Sequence, residues 1–141
     1  MSTTGLEVFD TTLQKTNIWL NDIMYALGSG DRHKAYLGLR LTLHALRDRL
    51  TLEETAQFGA QLPMLIRGLY YEGWTPTGKP DKVRHKAEFL APLRDHFKDD
   101  WRVEPEGIAR AVFQVLARHI SAGEIEDIKH LLPKELKELW D

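Results

Sequence analysis

Apolar residues recur every three or four positions along most of the chain, and this spacing is typical of amphipathic helices. One stripe consists of Tyr36, Leu39, Leu43, Leu46 and Leu50, and a second consists of Ala109, Phe113, Leu116 and Ile120. No segment shows the regular alternation of apolar and polar residues that a half-buried strand requires. The pattern therefore predicts an all-α fold, with at most a short extended piece around Val83.

The pattern repeats along the chain at an offset of seventy residues. Residues 50–54 match residues 120–124, and residues 62–63 match residues 132–133 without a gap. An earlier apolar face also has a copy, in which Trp19, Leu20, Ile23 and Leu27 correspond to Phe89, Leu90, Leu93 and Phe97. An offset sustained over this length predicts a duplicated helical unit.

Both copies carry the same helix-start signal. Thr51 and Ser121 are each followed three residues later by a glutamate, which is the pattern of a capping box. In each copy two long helical segments precede two short ones. We therefore predict a helical bundle made of two tandem four-helix repeats that are related by a pseudo-two-fold axis.

These boundaries divide the chain into a first repeat (1–70), a connector (71–84) and a second repeat (85–141). The connector has no copy elsewhere, and its two glycines and two prolines prevent a continuous helix. Each repeat alone is close to the size at which a hydrophobic core becomes marginal. We therefore expect the two repeats to share one core.

Two segments of the chain resemble the signature of a bacterial family catalogued as domain of unknown function 2267. They are residues 62–74, which begin Leu-Pro and end Glu-Gly-Trp, and residues 115–127 together with Leu132-Pro133. The resemblance extends from about Val8 to Trp140. It implies a small, all-helical cytosolic protein, and it brings no known activity and no known catalytic residue.

Composition narrows the location and the chemistry of the protein. The chain has 141 residues, no cysteine and a formal net charge of −2. The absence of cysteine excludes disulfides and fits a reducing compartment. The first residues lack the basic start and apolar core of a secretory signal, and no apolar run reaches the ~20 residues of a membrane span. We expect a cytoplasmic protein without a membrane partner.

No catalytic, cofactor or metal site is predicted. The segment 73–80 is one residue short of a phosphate-binding P-loop, because Pro80 stands where the hydroxyl that binds Mg²⁺ is required. Pairs of histidine and carboxylate residues occur at helical spacing, but they do not complete a metal-ligand set. Serine, threonine and histidine residues form no recognisable nucleophile arrangement. We therefore expect a protein that is not an enzyme.

The connector and the residues that follow it combine aromatic and positively charged side chains. The candidate partner-binding residues here are Tyr71, Trp74, Lys79, Lys82, Arg84 and Lys86. Aromatic faces beside cations can bind a nucleic acid or another anion. The alternative is a solvated, charged loop whose aromatic residues pack between the repeats.

Arg40 and Arg110 are identical at matched positions, and each lies in an otherwise apolar helix. They belong either to the solvent-facing side of the helix or to a contact with a carboxylate or a partner.

The leading functional prediction is a non-enzymatic interaction or regulatory module, with an unknown protein partner or self-association. The alternative is a protein that binds a ligand or nucleic acid through the basic connector. A strong salt dependence of nucleic-acid affinity would favour the alternative.

Overall fold

A computed structural model describes residues 2–141, and no strand occurs among them. The helices are α1 (Glu7–Leu27), α2 (Arg32–Arg47), α3 (Leu52–Ala60), α4 (Met64–Tyr71), α5 (Lys86–His96), α6 (Pro105–His119), α7 (Ala122–Leu131) and α8 (Lys134–Lys137), and a 3-10 turn (Glu138–Trp140) follows α8. The predicted all-α fold is confirmed. In the described part of the chain, none of the helices is both long enough and apolar enough to cross a membrane.

The order of the helices is the same in the two halves. Helices α3 and α7 begin at residues 52 and 122, and α4 and α8 begin at residues 64 and 134, as the offset requires. The first helices differ, because α1 has 21 residues and α5 has 11. Residues 7–15 of α1 therefore have no helical counterpart. Superposition of the halves about a two-fold axis stays a prediction.

The two predicted N-caps form. Thr51 accepts a hydrogen bond from the backbone N–H of Glu54 at 3.1 Å, and Ser121 accepts one from Glu124 at 3.2 Å. Each cap satisfies an N–H group that has no partner within its helix. The reverse bond of the capping box is replaced at Ser121, whose own N–H donates to the Gln61 side chain at 3.1 Å.

The long helices of the two halves interlock. Helix α1 packs on α6, and α2 packs on both α5 and α6. One hydrophobic cluster contains buried residues from both halves, among them Ile23, Leu43, Phe89, Val112 and Leu116. Burial of each such side chain contributes about 1.5–3 kcal/mol. The stability of either half therefore depends on side chains of the other.

Candidate functional site

One apolar stripe runs along the whole of α1 in alternating steps of three and four residues. It consists of Leu6, Phe9, Leu13, Thr16, Leu20, Ile23 and Leu27. At its C-terminal end, Leu20 and Ile23 are buried in the core. At its N-terminal end, Leu6, Phe9 and Leu13 are 53 %, 45 % and 37 % exposed. The face that packs in the core at one end is therefore uncovered at the other.

The uncovered end of α1 forms one wall of a groove with a volume of about 680 Å³. Helices α2 and α4 supply the rest of the lining, and the lining residues of α4 include Met64 and Leu65. Met64 and Leu65 are each about half exposed. The apolar lining residues of this groove are Phe9, Leu13, Leu20, Tyr36, Leu39, Met64, Leu65, Ile66 and Leu69. Contiguous exposed apolar surface of this kind is typical of interaction sites.

A side-chain cap holds the two walls of the groove together. The hydroxyl oxygen of Thr12, on α1, accepts a hydrogen bond from the backbone N–H of Leu65 at 2.8 Å. This N–H lies in the first turn of α4, where no helical acceptor is available. Because Thr12 is itself buried, the bond fixes the position of α4 beside α1. The groove is therefore formed before any partner binds.

The aromatic candidates of the connector pack on the first half of the molecule. The ring of Tyr71 lies 4.9 Å from that of Tyr70 and 5.9 Å from that of Trp74, measured between ring centroids. A Cβ atom added at Gly59 would lie 2.5 Å from the Tyr71 hydroxyl oxygen. Gly59 thus leaves the space that Tyr71 fills. Both predicted aromatic residues are half-buried.

The four cations predicted in this region separate into two pairs. Lys79 lies 3.3 Å from a carboxylate oxygen of Asp81, and Lys86 lies within 4 Å of glutamates in α6 and the C-terminal turn. Lys82 and Arg84 are exposed, and neither makes an ion pair with any of residues 2–141. Fewer positive charges are therefore available to bind a ligand than the sequence alone suggests.

The matched arginines both bind the C-terminal end of their own half. Arg40 forms an ion pair with Glu72, directly after α4. Arg110 Nη1 donates to the carbonyl oxygens of Glu138 and Asp141 at 2.8 and 2.9 Å. Carbonyl groups at the end of a helix lack N–H donors within the helix, so the contacts of Arg110 stabilise the last turn. Both arginines thus contact residues at the C-terminal end of their own half.

A pair of carboxyl groups was not identified from the sequence as a site. Glu54 and Glu124 follow the two N-caps, occupy matched positions, and lie within hydrogen-bonding distance of each other. Glu124 is buried. Burial, and after it the hydrogen bond and the charge of Glu54, raise the pKa of Glu124 to about 8.

The Glu124 carboxyl group is therefore protonated at neutral pH and can donate its proton to a hydrogen bond with Glu54. One oxygen atom of each carboxyl group is buried without another partner among residues 2–141, and a shared proton supplies the missing donor. The predicted two-fold relation requires such a contact between matched residues at the axis. The repeated capping box was thus the signal in the sequence that could have identified this pair.

The fold defines a class of small all-helical proteins in which two halves interlock around one core. The family described as an uncharacterised conserved protein, DUF2267, matches residues 16–139. The chain belongs to this family. No curated protein matches the chain.

Proposed function

We propose that the protein is a non-enzymatic interaction module that associates with a second copy of itself through the groove between α1 and α4. The uncovered apolar stripe of α1 carries this proposal. A helix face with anchors at steps of three and four residues is the usual ligand of an apolar groove. Burial of such a face removes apolar surface from water and stabilises the complex.

A second copy fits this surface because the surface provides both an exposed helix face and an apolar groove that can receive one. Phe9 and Leu13 are partly exposed on α1, where they form one wall of the groove. A two-fold arrangement places the α1 face of each copy in the groove of the other, and such isologous contacts are the commonest form of homodimer. Glu72 is the charged residue among those that line the groove. Repulsion between the copies is therefore small.

Sedimentation velocity over a concentration series tests the proposal. We expect a dimer at about 100 µM, which lies well above the ~1 µM Kd of a moderately stable complex. The double variant F9E/L65E should stay monomeric, because it places four charges in the buried contact. Its helical circular dichroism should equal that of the wild type, which separates lost association from lost folding.

The matched control is Y25E. Tyr25 is also on α1 and is 87 % exposed, but it lies outside the stripe. This variant should dimerise like the wild type. A wild-type protein that stays monomeric at every concentration, or a dimer that F9E/L65E leaves intact, would refute the proposal.

A further inference from the structure

A second cavity, of about 380 Å³, lies where the connector meets both halves of the molecule. Arg49, which follows α2, lines it from the first half, and residues 131–133 line it from the second. Residues 80–84 of the connector complete the lining. A molecule bound here would contact all three parts of the chain.

Positive charge exceeds negative charge around this cavity. Arg49, Lys82 and Arg84 line it together with a single carboxylate, that of Asp81. The Asp81 carboxylate is shared between Lys79, at 3.3 Å, and Arg49, at 3.8 Å. The lining therefore carries a net positive charge that an anionic ligand would balance.

The guanidinium group of Arg49 makes few of the hydrogen bonds that it could donate. Its side chain is 10 % exposed, and the nearest carboxylate oxygen, on Asp81, is 3.8 Å away. Nη1 donates to the carbonyl oxygen of Ala45 at 3.1 Å, whereas Nε has no acceptor within residues 2–141. The group lies 5.5 Å from the ring centroid of Phe89, and its burial lowers the pKa of Arg49. An anion in the cavity would stabilise this buried cation.

We propose that this cavity binds a small phosphate monoester, with its phosphate group on Arg49, Lys82 and Arg84. A guanidinium fork matches phosphate oxygens, and a lysine adds a point charge. The other lining residues, Pro80, Val83, Leu131, Leu132 and Pro133, form an apolar wall for the organic part of the ligand. The volume is within the range of small-molecule sites.

The charge distribution favours a small ligand over a nucleic acid. A nucleic-acid strand is bound by cations that follow its backbone over several phosphates. Here Lys79 and Lys86, on either side of the cavity in the sequence, are held in ion pairs. The two cations of this region without an ion pair among residues 2–141, Lys82 and Arg84, thus both line the cavity.

Isothermal titration calorimetry with phenyl phosphate and with inorganic phosphate tests this proposal. We expect saturable binding of phenyl phosphate that is at least about tenfold tighter than that of inorganic phosphate, because only the former contacts the apolar wall. The K82E/R84E variant should weaken phenyl phosphate binding by about tenfold or more. These residues are exposed, so the variant should fold normally.

Two further variants complete the test. R49Q should also weaken binding, and K98E/K137E, which changes the same charge at exposed lysines away from the cavity, should leave it unchanged. The proposal fails if phenyl phosphate does not bind saturably, or if K82E/R84E binds it as well as the wild type. It also fails if a single-stranded oligonucleotide displaces phenyl phosphate with a steep salt dependence. The groove between α1 and α4 is not changed by these variants, so the result is independent of self-association.

Discussion

Two contacts between the halves of the molecule occupy matched positions but involve different basic side chains. His119 stacks on Trp19, with ring centroids 5.0 Å apart and an interplanar angle of 17°. Arg49, which matches His119 in the repeat, lies over the ring of Phe89, which matches Trp19. Both contacts place a basic side chain of one half on an aromatic ring of the other. This correspondence supports the predicted two-fold relation.

The two contacts differ in the carboxylates that lie beside the basic side chain. His119 Nε2 lies 2.8 Å from a carboxylate oxygen of Asp22, on α1, and Arg118 approaches the same carboxylate. The position that matches Asp22 is occupied by Pro92, and the carboxylate nearest to Arg49 is instead that of Asp81, in the connector, at 3.8 Å. Both halves thus show the contact between a basic side chain and an aromatic ring, but the carboxylate beside it comes from a different part of the chain.

The largest effect is expected from removing either aromatic ring. Trp19 and Phe89 are 3 % and 1 % exposed. Trp19→Ala and Phe89→Ala should each lower the free energy of unfolding by about 3–5 kcal/mol, because each leaves a cavity in the core. Urea denaturation measures the loss, with Trp101→Ala, at a 90 % exposed residue, as the control. If one variant is strongly destabilised and the other is not, the two contacts are not equivalent.

An intermediate effect is expected at the carboxyl pair of Glu54 and Glu124. The pKa of Glu124 is raised from its ordinary value of 4.5 to about 8 in the folded protein. Between these values the unfolded chain releases a proton that the folded protein retains, so stability falls as pH rises from about 4.5 to about 8. Above that range the fall stops. Below it, both states are protonated and the group has no effect.

Replacement of this carboxyl group should remove most of that fall. We expect Glu124→Gln to raise the free energy of unfolding at pH 8 by about 2 kcal/mol relative to the wild type, since a neutral amide avoids the buried charge. Thermal unfolding between pH 5 and 9, with the exposed Glu126→Gln as control, measures the difference. Parallel pH profiles for wild type and Glu124→Gln would show that the pair does not share a proton.

The smallest effect is expected at the two N-caps. Because the caps have matched geometry, their removal compares equivalent positions in the two halves of the molecule. Thr51→Ala and Ser121→Ala should each cost about 1 kcal/mol. The hydroxyl bonds that they remove are 3.1 and 3.2 Å long. Chemical denaturation of both single variants and of the double variant measures these costs. Wild-type stability of both single variants would contradict the capping assignment.

The helical fold could be predicted because its signals are local. The stripes of α2 and α6 and the hydroxyl groups of Thr51 and Ser121 act within one or two turns of a helix. The start of α1 was not predicted, and neither was the groove beside it. An apolar residue such as Phe9 has the same spacing whether or not another helix covers it. The position of α4 in the structure is what shows that the face of α1 with Phe9 is exposed.

The free charge of the connector region was less predictable than the fold, because some of its cations are paired with residues that are distant in the sequence. Lys86 is paired with Glu106, which is distant in the sequence, and Lys79 approaches the distant Asp48 at 3.9 Å in addition to its neighbour Asp81 at 3.3 Å. Local composition therefore overestimated the free charge of the connector. Arg49 was not predicted as a site residue, because it lies between a buried helix and an N-cap, and nothing in that position distinguishes it from other arginines.

The interlocking of the long helices also determines how the chain folds during its synthesis. The ribosome releases α1 and α2 first, but the helices that cover their apolar faces, α5 and α6, belong to the second half of the chain and are made later. A nascent chain that ends near residue 70 consequently holds apolar surface that has no internal partner. Such surface is where a chaperone binds or aggregation begins. Completion of the core therefore waits for the second half of the chain to leave the ribosome, and the two halves fold together rather than one after the other.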